Sequence, residues 1–291
     1  MSRTIARVAV VGAGTMGHGI AQVAAAAGCT VSLIDTTEDL VKSGVARIRE
    51  NLDGAITRGK ATAADRDSIL ARIATSVDVN AAVRDADLIV EAVPERMDLK
   101  IALLQALDPI VPDDVILATN TSSLSITALQ QATTQPSRVI GLHFFNPVHI
   151  NKLIEVVRGR ETAQVVVDAG LAFARRIGKE PVLVNDAPGF ATSRLGVLLG
   201  LEAIRMVEQG VATAADIDRA MELGYRHPMG PLRLTDLVGL DIRLDIARYL
   251  HQALDSEAFR PPALLEQMVA AGRLGRKSGQ GFYEWTEVPA A

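Results

Sequence analysis

Apolar residues fall along this chain in two rhythms: short unbroken runs alternating with helix-forming stretches at first, then a recurrence every three or four positions in the last third. Residues 5–11 are nearly all aliphatic and β-branched, the pattern of a strand buried on both faces of a parallel sheet. A turn at residues 12–14 leads into an Ala-rich helix over 16–27, ended by Gly28, and then into a second strand at 30–34 that closes on Asp35. This is one βαβ unit. Further strand-like runs at 88–93, 115–118, 139–142, 153–157 and 181–184 predict a large sheet. Residues 38–74 are polar and helix-forming with a break near Gly59, which predicts two helices packed as a hairpin and projecting from the sheet.

After the turn-forming segment Asn185-Asp-Ala-Pro-Gly189 the pattern becomes helical, with Leu195, Leu198, Leu199, Ala203 and Val207 near one face. Gly210, Gly224, Gly230-Pro231 and Gly239 punctuate the helices that follow, and a last strand-like run occupies 281–285. The change of pattern places a domain boundary between residues 1–186 and residues 187–291. A length of 291 residues agrees with two domains.

Composition narrows what the domains can do. Hydrophobic residues make up 48% and aromatic residues only 3%, so the core is aliphatic. A formal net charge of -4 supplies no basic field for nucleic acid or an anionic membrane, and any phosphate binding must be local. The single cysteine, Cys29, rules out an intrachain disulfide and a cysteine-held zinc, and suits a reducing cytoplasm. The first apolar run reaches the glycine turn too soon for a signal peptide, and no stretch approaches the roughly 18 apolar residues that span a bilayer. The expectation is a cytoplasmic protein without a membrane or nucleic-acid partner.

The glycine turn is Gly12-x-Gly14-x-x-Gly17, directly after a buried strand and opening a helix. In that context Gly12 allows the tight turn, Gly14 removes a side chain that would block a pyrophosphate, and Gly17 lets helix and strand approach. Ala13, Thr15 and Met16 complete the turn, whose free N–H groups face phosphate oxygens. Asp35 ends the second strand where a carboxylate accepts hydrogen bonds from ribose hydroxyls and repels a 2′-phosphate, so NAD is the expected cofactor. Two plainer readings stand beside these: a glycine turn that binds nothing, and Asp35 as the N-cap of the helix near Glu38. The fold class expected is α/β, with an N-terminal Rossmann-type dinucleotide-binding domain carrying a helical-hairpin insertion, followed by an all-α C-terminal domain.

Removing hydride from an alcohol carbon requires a base for the hydroxyl proton, and histidine titrates near the working pH. Of five histidines, His143 ends an apolar strand, the edge of an open α/β sheet where ligands bind. Alone, it reads equally as a core histidine. Glu155 stands inside the next apolar run, where a charge is rare unless paired, and adjacent strands would let it fix the imidazole tautomer. The alternative for Glu155 is an edge-strand residue facing water.

At these positions the chain resembles the L-3-hydroxyacyl-CoA dehydrogenase family, including its bacterial 3-hydroxybutyryl-CoA branch, over nearly its whole length. The resemblance is carried by Gly12-Ala-Gly-Thr-Met-Gly17, Ala118-Thr-Asn-Thr-Ser-Ser-Leu124, Gly141-Leu-His-Phe-Phe-Asn-Pro147, Pro188-Gly-Phe190, Pro228-Met-Gly-Pro231 and Lys277-Ser-Gly-Gln-Gly-Phe-Tyr283. It implies that His143 is the catalytic acid/base, Glu155 its orienting carboxylate and Ser122 a hydroxyl contacting both substrate oxygen and nicotinamide. It also implies cofactor contacts for Glu95, Lys100, Asn120, Asn146 and Lys277, and an acyl-CoA substrate gripped by the hairpin through Asn51 and Arg58. Lys100 and Arg58 have a plainer reading as solvated surface residues. A homodimer through the C-terminal domain is a further implication.

The family continues Pro-Gly-Phe-x-x-Asn-Arg, whereas this chain has Ser193 where the asparagine is expected. The shorter side chain puts rate and substrate range in question and leaves the reaction type alone. Rival readings are a relative acting on L-gulonate or carnitine, a β-hydroxyacid dehydrogenase with a catalytic lysine, and a non-catalytic NAD-binding structural protein of the lens-crystallin kind. The complete Phe144-Phe145-Asn146-Pro147 phrase favours the acyl-CoA branch.

Overall fold

In the computed structural model, which describes residues 4–286, the aliphatic runs of the first unit line up as eight strands in one sheet. They are β1 Arg7–Val11, β2 Thr30–Ile34, β3 Ile73–Ser76, β4 Leu88–Glu91, β5 Ile116–Thr119, β6 Val139–Phe144, β7 Leu153–Arg158 and β8 Glu180–Asn185. The spatial order is β3-β2-β1-β4-β5-β6-β7-β8. Strands β1 to β6 are mutually parallel. Strand β7 runs antiparallel to β6, and β8 runs parallel to β7. The order reverses between β1 and β4, the crevice in which open α/β sheets place their ligands.

Every residue of β4, β5 and β6 is buried, which explains why their sequences are apolar apart from Glu91, Thr119 and His143 near their carboxyl ends. Strand β3 was not expected: it begins within the segment 38–74 read as helical and runs two residues past it. It lies on the sheet edge with no buried residue, so its pairing with β2, not its own apolar content, makes it a strand.

The hairpin consists of α2, Glu38–Thr57, and α3, Ala63–Leu70. Helix α2 buries Val41, Gly44, Ile48 and Leu52, a stripe spaced by three and four residues. Each fully buried aliphatic side chain such as Ile48 contributes about 1.5–3 kcal/mol. Thr37 caps α2 by accepting from the Leu40 N–H, so Asp35 is not its N-cap. Gly59, with φ at 66°, turns the chain, and Thr62 with Asp65 forms a reciprocal capping box that starts α3. Helix α3 buries no residue, and an Arg66–Asp53 ion pair at 2.9 Å ties it to α2.

Helix α1, Gly17–Ala26, packs on the sheet next to α2. Helices α4 Val79–Ala82, α5 Met97–Leu107, α6 Ile126–Gln130 and α7 Gln164–Arg176 complete the crossovers. The contacts of this first unit end at Ala187 and those of the second begin at Pro188.

The second unit contains α8 Thr192–Glu208, α9 Ala214–Tyr225, α10 Pro231–Val238, α11 Leu240–Leu254 and α12 Ala263–Ala270. Its core is built from Val197, Leu201, Ile204, Leu232, Leu244 and Leu250 with their neighbours. The face expected on α8 is displaced: Ala203 is buried, but Leu195 is 68% and Leu198 36% exposed. The helix is apolar on more than one side, and periodicity alone selected the wrong side.

Residues 281–285 form no strand, only isolated bridges that pair Gln280 with Gly275 and with Glu284. The cause is Asp236, which is 1% exposed. Its carboxylate accepts from the Phe282 and Tyr283 N–H groups and from the Trp285 indole, each at 2.9 Å, wrapping the segment into a turn. Asp218 accepts from the Leu232 and Arg233 N–H groups at the start of α10. A Cβ on Gly230 would lie 2.2 Å from that carboxylate carbon, which gives the Pro-Met-Gly-Pro phrase a structural use. Among the described residues, no helix is long and apolar enough to cross a membrane, and no cluster able to hold a metal ion is found.

Candidate active site

The glycine turn leaves space at one position and none at the other two. A Cβ on Gly12 would lie 2.5 Å from the Ala92 carbonyl oxygen, and one on Gly17 only 1.6 Å from the Gly12 oxygen. A Cβ on Gly14 would meet nothing within 4 Å. Close packing thus requires the outer glycines, while Gly14 borders open space beside the start of α1. Met16, at the N-cap of α1, makes no side-chain cap bond, and Thr15 is exposed. The first turn of the helix therefore offers its orphan N–H groups to an anion.

Asp35 stands at the end of β2 with one carboxylate oxygen accepting from the Ala13 N–H at 2.7 Å and the other from the Thr36 N–H at 2.7 Å. It joins the strand end to the glycine turn. Gly44, unremarked in the sequence, lets α2 approach the same turn: its Cβ would lie 2.8 Å from the Ala13 oxygen. Open space at Gly14, uncapped helix N–H groups and a half-buried carboxylate on the neighbouring strand together fit the pyrophosphate and adenosine ribose of NAD.

On the other half of the sheet, β4, β5 and β6 end in polar residues that hold one another. His143 and Glu155 are opposite each other in the β6–β7 register. The His143 Nδ1 lies 2.8 Å from a Glu155 carboxylate oxygen, with His143 5% exposed and Glu155 fully buried. Burial on an interior strand removes the water-facing alternative for Glu155. With the carboxylate as acceptor, Nδ1 carries the ring proton in the neutral imidazole. The Phe145 ring lies against the imidazole, centroids 4.3 Å apart.

The loop after β5 carries Ser122. Asn120 accepts from the Phe144 N–H at 2.9 Å, tying this loop to the strand that carries His143. Glu95 accepts from the Ser122 N–H at 2.8 Å and from the Thr121 hydroxyl at 2.5 Å, and so fixes the loop from the other side. Lys100 is 1% exposed and not a surface lysine: its ammonium donates to Glu91 at 2.7 Å and lies 3.3 Å from Glu95. Glu91, also 1% exposed, was missed in the sequence. It ends β4 as Glu155 interrupts β7, a carboxylate in an apolar strand, and the same signal would have found it.

Asn146 is exposed and precedes Pro147 across a cis peptide bond. Lys179 donates to the carbonyls of Val148 and, at 2.6 Å, Asn151, securing the connection that follows. On the hairpin, Asn51 donates to Gln22 at 3.0 Å, bracing α2 against α1. Arg58, exposed at the end of α2, folds its guanidinium over Gly54. In the second unit Ser193 sits in the first turn of α8, and Lys277 pairs with Asp241 at 2.5 Å. The first unit thus gathers Gly12 to Gly17, Asp35, Glu95, Lys100, Asn120, Ser122, His143 and Asn146 around the carboxyl ends of its parallel strands, with Glu155 joining them from the amino-terminal half of the antiparallel β7.

Two family models cover the chain: the NAD binding domain of 3-hydroxyacyl-CoA dehydrogenase over residues 7–187, and its C-terminal domain over residues 189–285. A probable 3-hydroxybutyryl-CoA dehydrogenase of Bacillus subtilis is 44% identical over 283 residues, covering 97% of this chain and 98% of the relative. The human mitochondrial hydroxyacyl-coenzyme A dehydrogenase is 42% identical over 97% of this chain and 91% of its own length. Among solved structures, the (S)-3-hydroxybutyryl-CoA dehydrogenase of Ralstonia eutropha superposes with a TM-score of 0.93 at 41% identity, covering 98% of this chain and all of the other.

Proposed function

This chain belongs to the 3-hydroxyacyl-CoA dehydrogenase family, and on that premise we propose how its residues carry out the reaction. The reaction is NAD-dependent oxidation of the 3-hydroxyl of a (3S)-3-hydroxyacyl-CoA to the 3-oxoacyl-CoA, and its reverse. The observation that carries the assignment of roles is the buried His143–Glu155 pair at the carboxyl edge of the sheet. In the oxidative direction the His143 Nε2 takes the hydroxyl proton, and NAD+ held at the glycine turn would supply the acceptor for the C3 hydride. Glu155 holds the imidazole in the tautomer with Nδ1–H and stabilises the cation formed when Nε2 is protonated. Ser122 donates its hydroxyl to the substrate oxygen and contacts the nicotinamide side, held in place by Glu95 and, through Phe144, by Asn120.

Gly12, Ala13, Gly14, Thr15, Met16 and Gly17 receive the pyrophosphate and Asp35 the adenosine ribose; Glu95, Lys100, Asn120, Asn146 and Lys277 serve the cofactor side. Arg58 takes a phosphate of coenzyme A through charge-assisted bonds. Asn51, engaged with Gln22, offers the remaining hydrogen-bonding capacity of its amide. Short-chain substrates such as 3-hydroxybutyryl-CoA follow from the relatives' names. Turnover of 3-hydroxybutyryl-CoA, followed by NADH absorbance and lost in His143→Gln, tests the reading. Turnover of free 3-hydroxybutyrate at the same rate would refute it.

We assign residues 1–186 to cofactor binding and residues 187–291 to substrate closure and dimerisation. A homodimer is supported by the exposed Leu195, Leu223, Tyr225 and Ile242 of the second unit. Sedimentation at low concentration tests it, and a monomer would end it. A cytoplasmic setting suits the buried, unbridged thiol of Cys29, and fractionation of the source cells tests that placement.

A further inference from the structure

Lys100, Glu91 and Glu95 form a chain of contacts in which Glu91 alone has no part in the proposed reaction. Glu91 is anchored at every polar atom. One carboxylate oxygen accepts from the Lys100 ammonium and the Val93 N–H, each at 2.7 Å, and the other from the Thr119 hydroxyl at 2.6 Å. Lys100 has three donors, and three acceptors surround it: Glu91, Glu95 at 3.3 Å and the Val93 carbonyl at 3.4 Å. Glu95, with its side chain 41% exposed, is the end of the chain that reaches the surface, where it holds the Ser122 N–H. Two carboxylates face a single ammonium, so the cluster keeps one formal negative charge. Two of its three members are 1% exposed, where water screens charge least.

The cluster ends β4 and borders β5, on the half of the sheet opposite Asp35. A dinucleotide fold of two mononucleotide-binding halves puts the nicotinamide there when the adenosine is at Asp35. The nicotinamide ring is cationic when oxidised and neutral when reduced. We propose that Glu91 is a positioning residue that also acts electrostatically. Through Lys100 it fixes Glu95 and the Ser122 turn, and it supplies the excess negative charge that favours the oxidised cofactor over the reduced one. This rests on reading β4 to β6 as the nicotinamide half. The same charge favours departure of hydride from the reduced cofactor, and so the conversion of 3-oxoacyl-CoA to 3-hydroxyacyl-CoA.

The test is equilibrium binding without turnover. NADH affinity is read from its fluorescence and NAD+ affinity by displacement, at low salt, on variants whose melting shows that they fold. Glu91→Gln keeps the shape and removes the charge, and the ratio Kd(NAD+)/Kd(NADH) is expected to rise about fivefold. Thr119→Val loosens the same carboxylate without changing charge and should leave the ratio as it was, as should Glu91→Asp even where both affinities fall. Should Glu91→Gln fail to fold, Glu95→Gln removes the same unit of charge at the exposed end and must raise the ratio likewise. Equal weakening of both cofactor forms in the charge-removing variant would reduce Glu91 to a purely structural residue and overturn the proposal, as would an unchanged ratio. Loss of turnover in His143→Gln is read separately, so the assignment of the catalytic pair stands or falls on its own.

Discussion

His143 and Glu155 face each other directly across an antiparallel strand pair, Nδ1 to carboxylate at 2.8 Å, although twelve residues separate them in sequence. Replacing Glu155 by Gln keeps a hydrogen-bonding group and loses the charge that stabilises the imidazolium. The kcat of Glu155→Gln is expected to fall by about 10²–10⁴, with NADH affinity nearly unchanged. A drop in NADH binding of the same size would assign Glu155 to the fold rather than to the proton transfer.

Gly14→Ala and Gly17→Ala should separate binding from folding. The Gly14 methyl enters open space and the Gly17 methyl enters backbone. Gly14→Ala is therefore expected to melt like the parent and bind NADH at least about tenfold more weakly. Gly17→Ala should lose melting temperature as well, and calorimetry beside fluorescence titration distinguishes the two.

Asp35 bridges the Ala13 N–H and the Thr36 N–H at the end of β2. Asp35→Asn removes the negative charge that disfavours a 2′-phosphate while keeping an acceptor for Ala13. NADH affinity should fall about tenfold and NADPH affinity should rise. Unaltered discrimination between the two cofactors would show that another group selects NAD.

Asp108 and Arg138 form a buried ion pair at 2.7 Å just before β6, with Thr134 N–H also donating to the carboxylate. Burial pushes the Asp108 carboxyl up, but Arg138 and Thr134 outweigh it and hold the group below its ordinary value. A depressed acid contributes stability above its unfolded pKa, near 3.9, and loses it as pH falls through the folded value. Asp108→Asn should thus be less stable than the parent at pH 7, by about 3–5 kcal/mol, with the difference narrowing below about pH 4. Denaturant midpoints at both pH values measure this; a constant difference would contradict it.

By the resemblance carried by Pro188-Gly-Phe190, Ser193 stands where an asparagine is expected, and its side chain is shorter. Ser193→Asn should raise kcat/KM for 3-hydroxybutyryl-CoA by up to about tenfold. A fall instead would mean that serine is tuned to a different acyl chain, which an assay across chain lengths would identify.

The glycine turn was legible because its requirements are local: a φ of 105° at Gly12 and backbone contact at Gly17 leave no other residue type. His143 and Glu155 were legible because a polar group within an apolar run demands a partner. The plainer reading of Lys100 as a solvated residue fails, and its own neighbourhood could not show this, because Glu91, nine positions back, meets its ammonium only in space. Strand β3 escaped notice because an edge strand without buried residues has no apolar signature. On α8 both faces are apolar, and a sequence period cannot say which face turns inward within the chain and which toward something else.

The reversal of direction at β7 has a consequence for how this protein can change over time. Side chains alternate faces along a strand, so inserting one residue within Val139–Phe144 or Leu153–Arg158 would turn the histidine and its carboxylate to opposite sides of the sheet. The connection at 145–152 does not carry that alternation, but Phe145 against the imidazole and the Lys179 bonds to the Val148 and Asn151 carbonyls restrain it separately. In lineages descended from this protein, each of the two strands must keep its count of residues for as long as the chemistry is selected.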